Sequence, residues 1–191
     1  LLYFGQIKES LNLAKLAVKI NKLDEKLWLI LSESQVANKL YEEALISLKK
    51  AEKINPNLSE IYFSKSNIFV KQLKLKDAKI ALKSGLKIKP ENHNAIFQLG
   101  NIFLMEKNYA SAINIFEKAA KIKPQFWQAI NNQGLAYFEQ GKINLSIKLF
   151  EQAIAFEENA EPLLGLASCL SIKDINLAIL LAKKALIKNP N

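Results

Sequence analysis

The chain has 191 residues, half of them apolar and evenly spread, which excludes a disordered tail and leaves no stretch clean enough to span a bilayer. Its 27 basic residues are all lysine and outnumber 18 acidic ones, giving a net charge of +9. Without arginine the chain lacks the side chain best suited to planar, bidentate grips on phosphate or guanine, which speaks against sequence-specific reading of nucleic acid.

A step of 34 residues organises the rest. Ala17, Ala51, Gly85, Ala119 and Ala153 keep it, as do Ala44, Ala78, Ala112 and Ser146, and also Pro56, Pro90 and Pro124. A fixed period of this length marks one structural unit copied in tandem. In chain order it gives a half repeat at 1–24, then repeats at 25–58, 59–92, 93–126, 127–160 and 161–191. The half repeat supplies Ser10, Ala14 and Ala17, the pattern of a lone second helix. The third full repeat is the clearest. Ile96, Leu99, Gly100 and Phe103, then Ala112, Phe116 and Ala119, recur at spacings of three and four and predict helices over 93–106 and 109–122. Lys107 and Asn108 fall where a tight turn is needed, and Pro124 ends the second helix. Gly100 and Gly134 lie in first helices, where glycine costs about 1 kcal/mol against alanine. A close crossing by the second helix offsets that cost, with Ala112 and Ala119 as its small residues. The fifth repeat aligns Leu164, Ala178, Ala182, Ala185 and Pro190 only if two residues are lost near 172–174.

These positions resemble the tetratricopeptide repeat, with its bulky, Leu, Gly and Tyr positions on a first helix and Ala, Phe, Ala and Pro on and after a second. Trp28, Leu31, Ala44, Leu48, Ala51 and Pro56 carry the pattern in the first full repeat. Tyr62, Phe69, Ala78, Leu82, Gly85 and Pro90 carry it in the second. Ile130, Gly134, Tyr137, Ser146, Phe150 and Ala153 do so in the fourth, where Glu158 replaces proline. The resemblance implies an all-α, right-handed superhelical solenoid of antiparallel helix pairs, about eleven helices in a single array, whose first helices line a concave groove. It further implies a non-catalytic scaffold that binds a partner peptide or protein segment there and needs no cofactor and no metal.

In that register the groove receives Leu29, Ile30 and Glu33, then Phe63, Ser64, Asn67 and Val70, then Phe97, Gln98, Asn101, Leu104 and Met105, then Asn131, Asn132, Leu135 and Phe138. The set is nearly free of charge at its centre. Carboxamides both donate and accept, so Asn67, Asn101, Asn131, Asn132 and Gln98 suit a peptide backbone, while Phe63, Phe97 and Phe138 offer apolar seats. The alternatives are a place in the inter-helix core for the phenylalanines and a plain solvated face for the asparagines. Recognition of a chaperone tail is rejected, because Leu29, Phe63 and Phe97 stand where its lysine would be required.

Repeat 59–92 carries a net charge of +5 and repeat 127–160 one of −2. Lys76, Lys79, Lys83 and Lys87 form an outward basic patch, read either as a solvated face or as a dock for an acidic partner or an anionic membrane surface. Lone Cys169 is expected to be a small core hydrophobe, lone His93 an ordinary helix-start residue, and the cluster Glu157, Glu158 and Glu161 a helix-end feature without a catalytic pocket. Trp28 is expected in the core and Trp127 partly exposed. The last helix, near 176–188, with Ile179, Leu180, Leu181, Leu186 and Ile187, has no apolar cover, nor has 1–4. The chain therefore reads as a section of a longer protein, or as one whose ends self-associate. The compartment is expected to be cytoplasmic. A second class of function, an appendage to a larger enzyme such as a glycosyltransferase, stays open beside the scaffold.

Overall fold

The computed structural model describes residues 2–171 and 173–189, with side chains from residue 6 onward. Among these residues the chain is all α-helix. Eleven helices run in order: α1 Leu2–Ile20, α2 Glu25–Ala37, α3 Tyr41–Ile54, α4 Ser59–Lys71, α5 Leu75–Ile88, α6 His93–Met105, α7 Tyr109–Ile122, α8 Trp127–Glu139, α9 Ile143–Phe156, α10 Ala160–Leu170 and α11 Ile175–Lys188. They form the antiparallel pairs expected of the repeat. The expectations for 1–4 and for Ile172 and Pro190 lie outside the residues whose side chains are described. No described helix is long and apolar enough to cross a membrane.

The pairs are built by one repeated turn. Lys39, Leu73, Lys107 and Gly141 all have left-handed backbone, at φ 60°, 59°, 57° and 74°, and they are 34 residues apart. Each ends a first helix in the same way. The Lys107 N–H donates to Leu104 O at 2.8 Å, and the next N–H, of Asn108, donates to Phe103 O at 2.9 Å. Leu73 and Lys74, Lys39 and Leu40, and Gly141 and Lys142 repeat these two bonds. This pairing satisfies carbonyls that a helix end leaves orphaned and reverses the chain in two residues. The last pair differs: α10 has 11 residues where the other four first helices have 13. Asp174 N–H bonds Leu170 O at 2.8 Å and its carboxylate accepts from Leu177 N–H at 3.0 Å. Helix α11 thus begins two residues earlier than the period would place it, which is the loss the sequence requires.

Two compact units divide the chain, Leu1–Pro90 and Glu91–Asn191. In the first, Leu11, Ala14, Val18 and Leu31 form one core beneath α1 and α2. Ala44, Leu48, Ala51, Ile61 and Ile68 form another beneath α2, α3 and α4. In the second, Phe116 and Phe150 are fully buried. The close crossing predicted at Gly100 exists, and its partner is an aromatic ring: an added Cβ would lie 2.5 Å from Phe116 Cε1. At Gly134 the added Cβ would be 3.1 Å from Phe150 Cε1, and Ser146 Oγ donates to the Gly134 carbonyl at 2.8 Å.

Helix α11 keeps most of the exposed apolar surface expected of it. Leu181 packs with Ile154, Leu163 and Ala185, while Ile179, Leu180, Leu186 and Ile187 remain exposed. Trp127 is more buried than expected, whereas Trp28 packs against two cores as expected while keeping one side open. Trp127 is only 8% exposed, packed with Ile130 and Ala153. Trp28 is half-buried; its indole N–H reaches Lys22 O at 2.8 Å, and Lys50 Nζ lies 4.3 Å from the ring.

Candidate functional site

In the second unit, α6 and α8 are the first helices of consecutive repeats, and their facing sides bring three asparagines together. Asn131 Nδ2 donates to Asn132 Oδ1 at 3.0 Å, and Asn132 Nδ2 donates to Asn101 Oδ1 at 2.8 Å. The chain of carboxamides leaves the amide group of Asn101 unspent. Asn101 and Asn132 are half-buried, while Gln98, Met105 and Leu135 beside them on α6 and α8 are exposed. No ionisable group belongs to this set, so it favours neutral hydrogen-bonding partners over charged ones.

Asn131 departs from the groove position expected for it. It is 7% exposed, and its Oδ1 is buried without a hydrogen-bond partner. Phe97, Phe63 and Leu29 occupy the same register one, two and three repeats earlier, and the structure turns the two phenylalanines toward neighbouring helices. Phe63 fills the space beside Gly85, where a Cβ would overlap its ring. The Phe97 ring lies 5.6 Å from that of Phe116 and 5.0 Å from that of Phe126. Both remain half-buried. Phe138 packs against the core of Phe150, Leu166 and Cys169.

In the first unit the corresponding face of α2 and α4 is a cleft of about 340 Å³ lined by Ser32, Glu33, Ser64, Asn67 and Lys71. Exposed Asn67 is brought there as its register requires. The cleft is less neutral than expected, because Glu33 and Lys71 both line it. The period gives the signal for Lys71, since its equivalent one repeat later is Met105.

The basic patch divides. Lys76, Lys83 and Lys87 are exposed on α5, whereas Lys79 is half-buried. His93 opens α6 and meets Phe126 edge-on at 5.2 Å. Cys169 is buried, 3.5 Å from Ser146 Oγ, and burial raises its thiol pKa more than that hydrogen bond lowers it. Glu158, the centre of the acidic cluster, is tied to Lys184 and to Lys188, the latter at 3.0 Å. Among the described residues no group of three or more His, Cys, Asp or Glu side chains is placed to hold a metal ion.

Comparisons with known proteins agree with this architecture. The family model of the tetratricopeptide repeat matches residues 25–58, 93–126 and 128–159, together more than half of the chain. No curated protein matches in sequence. Among solved structures, YrrB, described as a tetratricopeptide protein with an unusual peptide-binding site, superposes with a TM-score of 0.70 at 18% identity, covering 93% of each chain. MamA from Desulfovibrio magneticus RS-1 superposes at 0.76 and 21% identity, over 87% of this chain and 95% of that one. PilF from Pseudomonas aeruginosa does so at 0.78 and 18%, over 86% and 76%. At these identities the likeness concerns the fold. Taken with the helix pairs, the 34-residue turns and the matched spans, it shows that the chain belongs to the tetratricopeptide repeat family.

Proposed function

We propose that the chain is a non-catalytic protein-interaction module that binds an extended segment of a partner protein along the first helices of its repeats, with the carboxamides of α6 and α8 bonding the partner's backbone. The observation that carries this reading is Asn131. Its register is apolar in the three preceding repeats, and here a carboxamide stands with a buried, unsatisfied oxygen. Such an oxygen costs about 1–3 kcal/mol. What it does is fix Asn132, which in turn fixes Asn101. A pre-oriented pair of half-buried carboxamides loses little side-chain freedom when a ligand arrives, which favours binding. The neutral neighbours Gln98, Met105 and Leu135 suit uncharged side chains alternating along an extended strand. In the first unit, Asn67 in the cleft between α2 and α4 offers the same group one repeat before Asn101.

The test is affinity capture with the wild-type chain beside an Asn101→Ala, Asn132→Ala double variant. Both positions are half-buried on helix faces, so the variant keeps its cores. A partner recovered by the wild type and lost with the variant supports the reading. Equal recovery by both removes the carboxamide face from recognition.

A further inference from the structure

The net charge is concentrated in one place. Unit Leu1–Pro90 holds 17 lysines against 9 acidic residues, a net of +8, whereas Glu91–Asn191 holds 10 against 9. Much of that excess is arranged on the second helices of the first unit, α1, α3 and α5. Lys15 and Lys19 on α1, Lys49 and Lys53 on α3, and Lys83 and Lys87 on α5 recur at steps of 34, and all six are exposed. Within each helix the two lysines are four residues apart, so they share one face at a separation of one turn. Because the helices are equivalent, the six make two rows of three. Three residues before the first row stand Asn12, Ile46 and Ile80, on the same helix faces. Ile46 is 58% exposed and Ile80 65%.

No acidic side chain interrupts the rows. Glu9, Glu42, Glu43 and Asp77 come before them, nearer the beginnings of α1, α3 and α5. Half-buried Glu52 is held by Lys65 at 2.6 Å. Among the described residues none of the six lysines is in an ion pair. In the second unit the pattern ends: Glu117 and Glu151 take the register of Lys49, and Glu117 pairs with Lys121 at 2.7 Å. The three rows of the first unit consist of lysine, isoleucine and one asparagine, with no arginine and no aromatic ring. Protein interfaces are anchored by aromatic and arginine side chains and are poor in lysine. Nucleic-acid surfaces join their cations to arginine forks or stacking platforms. Lysine beside protruding aliphatic groups is the composition that suits an anionic bilayer. Each ammonium is drawn to the negative surface as a point charge, and the aliphatic groups enter the boundary between headgroups and acyl chains.

We infer that the exposed face of α1, α3 and α5 binds the surface of an anionic membrane, with the six lysines among the headgroups and Ile46 and Ile80 inserted beside them. The binding is peripheral. The lysines supply long-range attraction that weakens with salt. The two isoleucines supply a smaller, salt-resistant part by removing aliphatic surface from water. These residues lie on other helices than Asn101 and Asn132, so a membrane and a partner segment held by α6 and α8 use different side chains.

The experiment is co-sedimentation of the full chain with vesicles of phosphatidylglycerol in phosphatidylcholine, and with vesicles of phosphatidylcholine alone, at low and at high salt. Binding is expected on the anionic vesicles only, and weaker at high salt. Lys49→Gln with Lys83→Gln is expected to lower partition about tenfold or more. Lys118→Gln with Lys148→Gln removes the same charge from exposed positions of the second unit and is expected to leave partition unchanged. Ile46→Ser with Ile80→Ser is expected to remove the binding that survives at high salt. Asn101→Ala with Asn132→Ala is expected to have no effect, which separates this face from the carboxamides. Equal losses for the two lysine pairs would reduce the interaction to net charge and overturn the proposal. Equal binding to both kinds of vesicle, or unchanged binding by the isoleucine variant, would overturn it too. Tighter binding, at matched charge, to polyglutamate or to an RNA oligonucleotide than to the anionic vesicles would assign the face to a protein or a nucleic acid instead.

Discussion

Asn132 and Asn101, 31 residues apart, are joined by a 2.8 Å hydrogen bond from Nδ2 of the one to Oδ1 of the other. The bond ties the first helices of two consecutive repeats through side chains rather than packing. It depends on Asn131, whose own amide holds Asn132 Oδ1 at 3.0 Å.

Replacing Asn131 with leucine, the residue at the equivalent Leu29, removes the stranded oxygen. Stability in urea is expected to rise by about 1 kcal/mol, the lower part of the range for an unsatisfied buried group. The same variant frees Asn132, so peptide binding is expected to weaken. Loss of stability together with unchanged binding would show that Asn131 is a packing residue only.

The glycines differ in what their side of the helix meets. At Gly100 a methyl group would run into Phe116, which is fully buried and cannot retreat. Gly100→Ala is expected to cost about 1–3 kcal/mol despite its better helix propensity. At Gly85 the obstacle is Phe63, which is half-buried and can swing outward. Gly85→Ala is expected to cost less. Chemical denaturation of both variants checks the order.

The left-handed turn residues predict a gain. An L-residue in this conformation costs about 1–2 kcal/mol, partly offset because glycine loses more freedom on folding. Leu73→Gly is expected to stabilise the chain by about 0.5–1 kcal/mol, and Gly141→Ala to destabilise it by a similar amount. Leu73 is 74% exposed, so little packing is lost. Melting of the two variants should move in opposite directions.

Glu158 predicts a pH effect on α11. Hydrogen bonds from Lys184, then from Lys188, hold its carboxyl below the ordinary value against a smaller desolvation effect. A carboxyl more acidic in the folded than in the unfolded state adds stability above its unfolded pKa of about 4.3, and that addition disappears as pH falls through the folded value. Amide exchange at Leu181 and Ala185 should therefore quicken on acidification in the wild type. In Glu158→Gln that acid-dependent change should be smaller, and so should the sensitivity to salt at neutral pH.

Much of the fold was legible because the repeat constrains it at every level. Small residues at Ala44, Ala78, Ala112 and Ser146, and prolines after the second helices, locate pairs whose ends agree with α6 and α7 to within one residue. The turn conformation was not legible, since Lys39, Leu73 and Lys107 carry no sign of a left-handed backbone; only Gly141 does. Burial at repeat edges was also obscure. Trp127, at the start of its repeat, is drawn in beside Ile130 and Ala153. For the candidate site, the register placed Asn67 and Asn101 on first-helix faces but not the bond to Asn132, nor the burial of Asn131. Hydrogen bonds between side chains depend on rotamers that a 34-residue spacing does not specify.

The most direct measurement is a titration of a selected extended peptide against the wild-type chain and the Asn101→Ala, Asn132→Ala variant, with the peptide repeated in a form whose backbone amides are N-methylated. Backbone recognition by the carboxamides predicts affinity reduced by about tenfold in the variant and a comparable loss for the methylated peptide on the wild type. Equal affinity across all four pairings would contradict it.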